Sequence, residues 1–134
     1  MAASGQGLRR GATFHDAGTR DGRLHLWVVC SDCGAALREV VVVSITTVYD
    51  DQRQDTTCVL DVGDHDFIRH TSIVFYALAE VRALATLESA IADGRLKRGA
   101  PFREDVLDRI VRGFAASRET PPECEVIPRL ILRV

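Results

Sequence analysis

Apolar runs rich in β-branched residues dominate the first half of the chain and predict strands. Residues 23–30 form one such run, and residues 38–49 form another that contains four consecutive valines, Val40 to Val43. These runs are too short and too β-branched for a helix to be preferred. Three further segments follow the same pattern: residues 11–15, 57–62 and 72–81. Their spacing of about ten residues is typical of a small barrel or sandwich.

The second half of the chain changes to helical periodicity. Residues 84–92 predict a short helix that ends at Asp93 and Gly94, because glycine readily takes the left-handed conformation that closes a helix. A longer amphipathic helix is predicted from Arg103 to Ser117. Its apolar face comprises Val106, Leu107, Ile110, Val111 and Phe114. The expected fold class is therefore α+β, mainly β, with this C-terminal helix packed on a small barrel.

Length and composition indicate one domain. The chain has 134 residues, 46% of them hydrophobic, and a formal net charge of -2, so the average charge points to no particular partner. We expect a disordered leader at residues 1–8, a single domain at 9–120, and an apolar tail at 121–134 that forms an edge strand or contacts a partner. No apolar segment is long enough for a signal peptide or a membrane span, so a cytoplasmic protein is expected.

The four cysteines are too few and too irregularly spaced for a disulfide framework, so reduced thiols are expected. They are Cys30, Cys33, Cys58 and Cys124. Cys30 and Cys33 have the spacing of half a zinc site, but the chain has no second pair of that kind. A zinc site through these two residues is therefore a minor alternative.

Histidines are the first candidates for chemistry, because imidazole titrates near neutral pH. The chain has four, at positions 15, 25, 65 and 70, and all fall at predicted strand ends or in polar linkers. The linker from Gly63 to Ser72 concentrates two histidines, two aspartates, one arginine and two hydroxyls. Arg69 and His70 can hold a phosphate there while an imidazole moves a proton, as phosphodiester cleavage requires. Each histidine can equally be an ordinary surface residue.

The ends of the two main strands carry further polar side chains. Thr46 and Thr47 end the valine strand, and alternation directs one of them to each face of the sheet. One hydroxyl can therefore contact a ligand while the other packs. On the preceding strand, His25 alternates with Trp27 on one face, either as a structural pair or as a base beside an aromatic ring.

Several short motifs occur in a fixed order along residues 9–117. They are Arg10-Gly11, LHLWVVCS at 24–31, SITT at 44–47, SIV at 72–74 and the helix at 103–117. In this order they resemble the MazF/PemK family of toxin endoribonucleases. His25 occupies the position of an arginine in that family, and Thr46 matches the first threonine of its ITT-type motif.

The resemblance implies an SH3-like barrel, usually dimeric, that cleaves single-stranded RNA without a metal or another cofactor. Such cleavage needs a base for the 2'-hydroxyl, an acid for the departing 5'-oxygen, and donors to the phosphate oxygens. The catalytic residues it implies are His25, Thr46, Arg69 and His70. The substrate-binding residues it implies are His15, Trp27, Thr47, His65 and Ser72. An aromatic side chain, either Trp27 or Tyr49, is expected to stack on a base if it is exposed.

The partners that this resemblance implies are single-stranded RNA, a cognate antitoxin and a second copy of the chain, with no membrane. A hypothesis from a different class is a barrel that has lost its activity and contacts a protein partner as a binding or regulatory module. A third hypothesis keeps the nuclease chemistry and adds zinc through Cys30 and Cys33.

Overall fold

The computed structural model describes residues 8–16, 24–31, 38–48 and 54–124. Six strands in these residues form one antiparallel sheet. They are β1 (Thr13–Asp16), β2 (His25–Val29), β3 (Glu39–Thr47), β4 (Val59–Leu60), β5 (Ser72–Ala83) and β6 (Lys97–Gly99). Their order is β4-β5-β3-β2-β1-β6, and the sheet curls into a half-barrel. The predicted mainly β, barrel-like α+β fold is confirmed.

The two predicted helices are present within about one residue of their expected bounds. They are α1 (Leu84–Ala92) and α2 (Glu104–Ala116). Gly94 follows α1 with a φ of 86°, the left-handed conformation expected of a glycine at this point. All five apolar residues predicted for one face of α2 are buried, which confirms that this helix packs on the sheet.

The observed strands differ in length from the predicted ones, most clearly on either side of the linker at 63–71. The segment predicted as a strand at 57–62 pairs only at Val59 and Leu60. It ends there because the next residues turn: the Asp64 amide donates to the Asp61 carbonyl, and the Asp61 amide donates to the Asp64 carboxylate. The segment at 72–81 is a strand throughout and continues to Ala83.

The sheet is covered on both faces, and each face has its own apolar cluster. Leu26, Val28, Val41 and Val43 belong to the cluster that includes the buried face of α2. The alternate residues of the same strands belong to a second cluster, which includes α1: Trp27, Val29, Val40 and Val42. This double burial explains why the valine run is continuous and not alternately polar.

A bulge in β5 interrupts its pairing with β3. Val42 is opposite Glu80 and Ser44 is opposite Phe75, so Val43 alone faces the four residues from Tyr76 to Ala79. Such a bulge bends the strand and increases its local twist. It therefore contributes to the curl of the sheet.

Tyr76 joins this part of β5 to the helix α2. Its ring is fully buried, and its hydroxyl donates to the carbonyl oxygen of Ile110 over 2.6 Å. Gly113 lies against the same hydroxyl, and a Cβ atom at that position would overlap it. The absence of a side chain at Gly113 therefore sets how closely the helix approaches the sheet.

The ends of the chain are only partly described. Most of the predicted leader (residues 1–7) and most of the predicted tail (residues 125–134) lie outside the described residues. Leu8, assigned to the leader, is buried in the cluster beneath α1, and Cys124 is buried beside the other face. No helix in the described ranges is long and apolar enough to cross a bilayer.

Candidate functional site

An open depression of about 640 Å³ lies at the end of the sheet where β3 finishes. Five of the residues predicted to form a site line it: His15, Thr47, His65, Arg69 and His70. The remaining lining residues are Leu24, Asp66, Phe67 and Ala100. A sixth predicted residue, Ser72, is buried next to it and donates its hydroxyl hydrogen to the carbonyl oxygen of His70.

Strand register explains why these residues meet. His15 is opposite Leu26, and Leu26 is opposite Ile45, so these three side chains share one face of the sheet. Thr47 is two residues beyond Ile45 and points to the same face. The linker between β4 and β5 passes over this end of the face and contributes the lining residues His65, Asp66, Phe67, Arg69 and His70.

The linker is fixed to the rest of the protein by several polar contacts. From α2, Arg109 forms an ion pair with Asp64 over 2.9 Å. Arg103, immediately before α2, donates to the carbonyl oxygen of Gly63 over 2.9 Å. At its other end, the Thr71 hydroxyl donates to the Asp61 carboxylate over 2.7 Å. These contacts fix the positions of the linker side chains before any ligand binds.

His65 has a structural role in this linker. Its Nδ1 accepts a hydrogen bond from the amide of Phe67 over 3.0 Å, so the proton of the neutral ring lies on Nε2. Nε2 is 2.6 Å from the carbonyl oxygen of Ala100, to which it donates. The side chain is also buried against Phe102. With both nitrogens engaged, His65 anchors the linker to the chain that follows β6.

His15 is in a different situation. It is half-buried, and its Nδ1 is buried without a hydrogen-bond partner among the described residues. Burial lowers the pKa of His15, and the nearby charge of Lys97 lowers it further. His15 is therefore held in the neutral form at neutral pH, and because Nδ1 is enclosed, Nε2 is the ring nitrogen that a ligand can reach.

Arg69 and His70 supply exposed polar groups on the linker side of the depression. In the described part of the chain, no carboxylate pairs with Arg69, in contrast to Arg103 and Arg109. Asp66 is the acidic residue of the lining. The depression thus combines two imidazoles, His15 and His70, with a guanidinium and the Thr47 hydroxyl.

Three predicted site residues lie on the other face of the sheet. Trp27 is opposite Ser44. His25 lies two residues before Trp27 on β2 and Thr46 two residues after Ser44 on β3, so both are on the same face as this pair. The register thus puts His25 and Thr46 together, but on the face opposite to Thr47. Asp16 is the cross-strand neighbour of His25 on β1.

Trp27 does not meet the condition set for base stacking, because only 4% of its surface is exposed. Its ring lies parallel to that of Phe14, with 6.3 Å between the centroids. Tyr49, the other residue considered for this role, lies outside the described residues. Sequence reasoning also omitted Phe67, although it was visible as an aromatic residue within the histidine-rich linker.

Of the two cysteines considered as half a zinc site, the structure describes only Cys30. Cys30 is fully buried in the apolar cluster that includes α2, and burial raises the pKa of its thiol well above the usual range. Cys33 lies outside the described residues. In the described ranges, no group of three or more histidine, cysteine or acidic side chains is arranged to hold a metal ion.

No protein-family model matches the chain, and no curated protein matches it either. The interpretation of the site therefore depends on its own geometry and chemistry. Those features are three imidazoles, a guanidinium, a carboxylate and a hydroxyl around one open depression, with a second pair of polar residues on the reverse face.

Proposed function

We propose that this protein is a metal-independent endoribonuclease that cleaves single-stranded RNA. The observation that carries the proposal is the presence of His15, Thr47, Arg69 and His70 around one open depression. These are the group types that RNA cleavage through the 2'-hydroxyl requires. The resemblance of the short motifs to MazF/PemK toxins supports the same reaction.

The proposed reaction uses the two imidazoles as base and acid. His15 takes the proton of the 2'-hydroxyl, because its lowered pKa keeps it neutral and able to accept. The 2'-oxygen then attacks phosphorus, and the bond to the 5'-oxygen breaks. His70 gives the departing oxygen a proton, so that the products are a 2',3'-cyclic phosphate and a 5'-hydroxyl. Arg69 and Thr47 stabilise the negative charge that develops on the phosphate oxygens.

Several wider properties belong to this proposal because the family resemblance implies them. The protein acts as the toxin of a toxin–antitoxin pair, in the cytoplasm and as a homodimer. A cognate antitoxin then inhibits it by covering the RNA-binding surface. Size-exclusion chromatography with light scattering, with and without the protein encoded beside it, tests the assembly independently of the activity.

The activity is tested by incubating the purified protein with varied single-stranded RNAs in EDTA. We expect cleavage that leaves cyclic phosphate ends. His15→Ala and His70→Ala are each expected to reduce the rate by about 100-fold or more, the usual contribution of a general acid or base. Arg69→Ala is also expected to slow cleavage, because Arg69 stabilises the charge on the phosphate oxygens. Its matched control is Arg112→Ala, at an exposed arginine on α2 outside the depression.

A second set of variants, His25→Ala and Thr46→Ala, tests the reverse face. If these abolish cleavage while His15→Ala and His70→Ala do not, the nuclease proposal stands and its active site moves to that face. If the wild-type protein leaves all the RNAs intact, the nuclease proposal is wrong. RNA binding or antitoxin binding without cleavage would then support the inactive binding module.

A further inference from the structure

Exposed apolar side chains are not evenly distributed around the protein. Five large ones are exposed in the described ranges: Leu24, Val59, Val62, Phe67 and Leu78. Two of these, Leu24 and Phe67, line the depression that also contains Arg69. Phe67 is the aromatic residue of the five, with 38% of its surface exposed, and Leu24 is 52% exposed.

Contacts of both its amide and its ring hold Phe67 in place. Its amide donates to Nδ1 of His65, which is itself bonded to the carbonyl oxygen of Ala100. Its ring makes an edge contact with the ring of His15, with 4.6 Å between the centroids. The exposed part of the Phe67 ring is therefore fixed beside an imidazole of the proposed active site, which lowers the entropy cost of binding a ligand there.

The ligand that fits these groups has a flat apolar part joined to an anion. A nucleobase stacks on an aromatic ring whatever its identity, because every base has a π-face. A phosphate one sugar away from such a base would meet the guanidinium of Arg69 and the hydroxyl of Thr47. Leu24 adds apolar surface to the same depression.

We propose that Phe67, with Leu24, forms a nucleobase subsite in which a base of single-stranded RNA stacks beside the reacting phosphate. The inference rests on the proposed function for the identity of the ligand. It makes Phe67 the aromatic platform that was expected at Trp27 or Tyr49. The stacking is tolerant of base identity, so this subsite adds affinity and position and does not select a sequence.

The test measures binding apart from cleavage. The probe is a short fluorescein-labelled 2'-O-methyl oligoribonucleotide of mixed sequence, which cannot be cleaved through the 2'-hydroxyl, and the readout is fluorescence anisotropy. Phe67→Leu is expected to weaken binding by about tenfold, within the range for one lost base–aromatic stack. Phe67→Trp keeps an aromatic ring and should bind at least as tightly as the wild type. Leu78→Ala is the control, because Leu78 is 49% exposed but outside the depression.

A second probe, with abasic sugars in place of all bases, separates stacking from backbone contacts. It should bind the wild type more weakly than the first probe, and Phe67→Leu should not weaken it further. The subsite is overturned if Phe67→Leu affects both probes equally, or if the wild type binds neither probe. Binding without RNA cleavage would leave the subsite standing while the nuclease proposal fails. If the Phe67→Leu variant cleaves RNA with the wild-type rate and KM, the subsite is refuted and the nuclease proposal stands.

Discussion

His15 and Lys97 are directly opposite each other on the antiparallel strands β1 and β6. Burial lowers the pKa of His15 most, and the charge of Lys97 adds to the effect. Replacing Lys97 by glutamine is therefore expected to raise the pKa of His15 toward its ordinary value of 6.5. A titration of the histidine ring protons by NMR measures this change, and Lys97→Arg, which keeps the charge, should leave the pKa almost unchanged.

The same relationship predicts how stability depends on pH. Because the pKa of His15 is lower in the folded than in the unfolded chain, the unfolded chain binds the proton more readily. The contribution of His15 is complete above pH 6.5, falls as the pH drops below that value, and levels off below the folded-state pKa. Lys97→Gln should make this loss of stability at low pH smaller. Urea titrations at several pH values measure the free energy of unfolding that shows it. An unchanged or larger loss would contradict the assignment of Lys97 as a cause.

His65 is expected to matter more for stability than the other histidine of its linker. Replacing it with alanine leaves the Phe67 amide without its acceptor and removes a donor from Ala100, at a cost of about 2 kcal/mol. His65→Asn should cost less, because the amide oxygen can still accept from Phe67. Urea denaturation measures both, and His70→Ala is the control, since that side chain is exposed. Equal stability of the two alanine variants would refute the anchoring role.

Gly113 and Tyr76 are expected to be strongly coupled. Gly113→Ala should destabilise the protein by about 3 kcal/mol, because the new methyl group overlaps the Tyr76 hydroxyl in a packed interior. Tyr76→Phe alone removes a buried hydrogen bond to Ile110 and should cost about 1 kcal/mol. In the double variant the two losses should be less than additive, since the closest overlap, with the oxygen, is gone, although the Cζ and Cε2 atoms of the ring still crowd the methyl group. A double-mutant cycle by thermal or urea unfolding measures this coupling, and additive losses would contradict it.

The contacts of Asp55 predict a second pH dependence of stability, in the acidic range. Burial acts to raise its pKa, but hydrogen bonds from Ser117 and Thr57 outweigh burial, and the pKa is lowered overall. Its contribution to stability is therefore present above the usual value of 3.8 and is lost as the pH falls through the folded-state pKa. Ser117→Ala should cost about 1 kcal/mol at neutral pH, and less once Asp55 is protonated in both proteins. Ser89→Ala, at an exposed serine on α1, should show neither effect.

Much of the fold was predictable because local pattern and tertiary packing agree. The β-branched run at Val40–Val43 favours a strand that is buried on both faces, and the face of α2 follows directly from helical periodicity. The turn after Leu60 was harder to predict. It depends on Asp61 and Asp64 bonding to each other, which ends β4 after two residues although Val62 continues the alternating apolar pattern.

The site was less predictable because residue type does not reveal what a side chain contacts. The sequence predicted that His65 binds substrate and that His70 is catalytic, but it did not show that Phe67 and Ala100 engage both ring nitrogens of His65. Alternation predicted that Thr46 and Thr47 point to opposite faces, but not that the linker residues lie on the face of Thr47. The burial of Trp27 against Phe14 depends on long-range strand pairing, which the local sequence does not encode.

The bulge in β5 has a consequence for the fidelity of folding. A run of four identical residues such as Val40–Val43 is prone to misalignment, since sliding by two positions presents the same side chains to the same face. The bulge opposite Val43 removes that degeneracy, because the ladder beyond it starts again at a different offset. A slipped alignment of β3 with β5 would form the hydrogen bonds on one side of the bulge and lose those on the other side. The bulge therefore fixes a single alignment of the most repetitive part of the sequence.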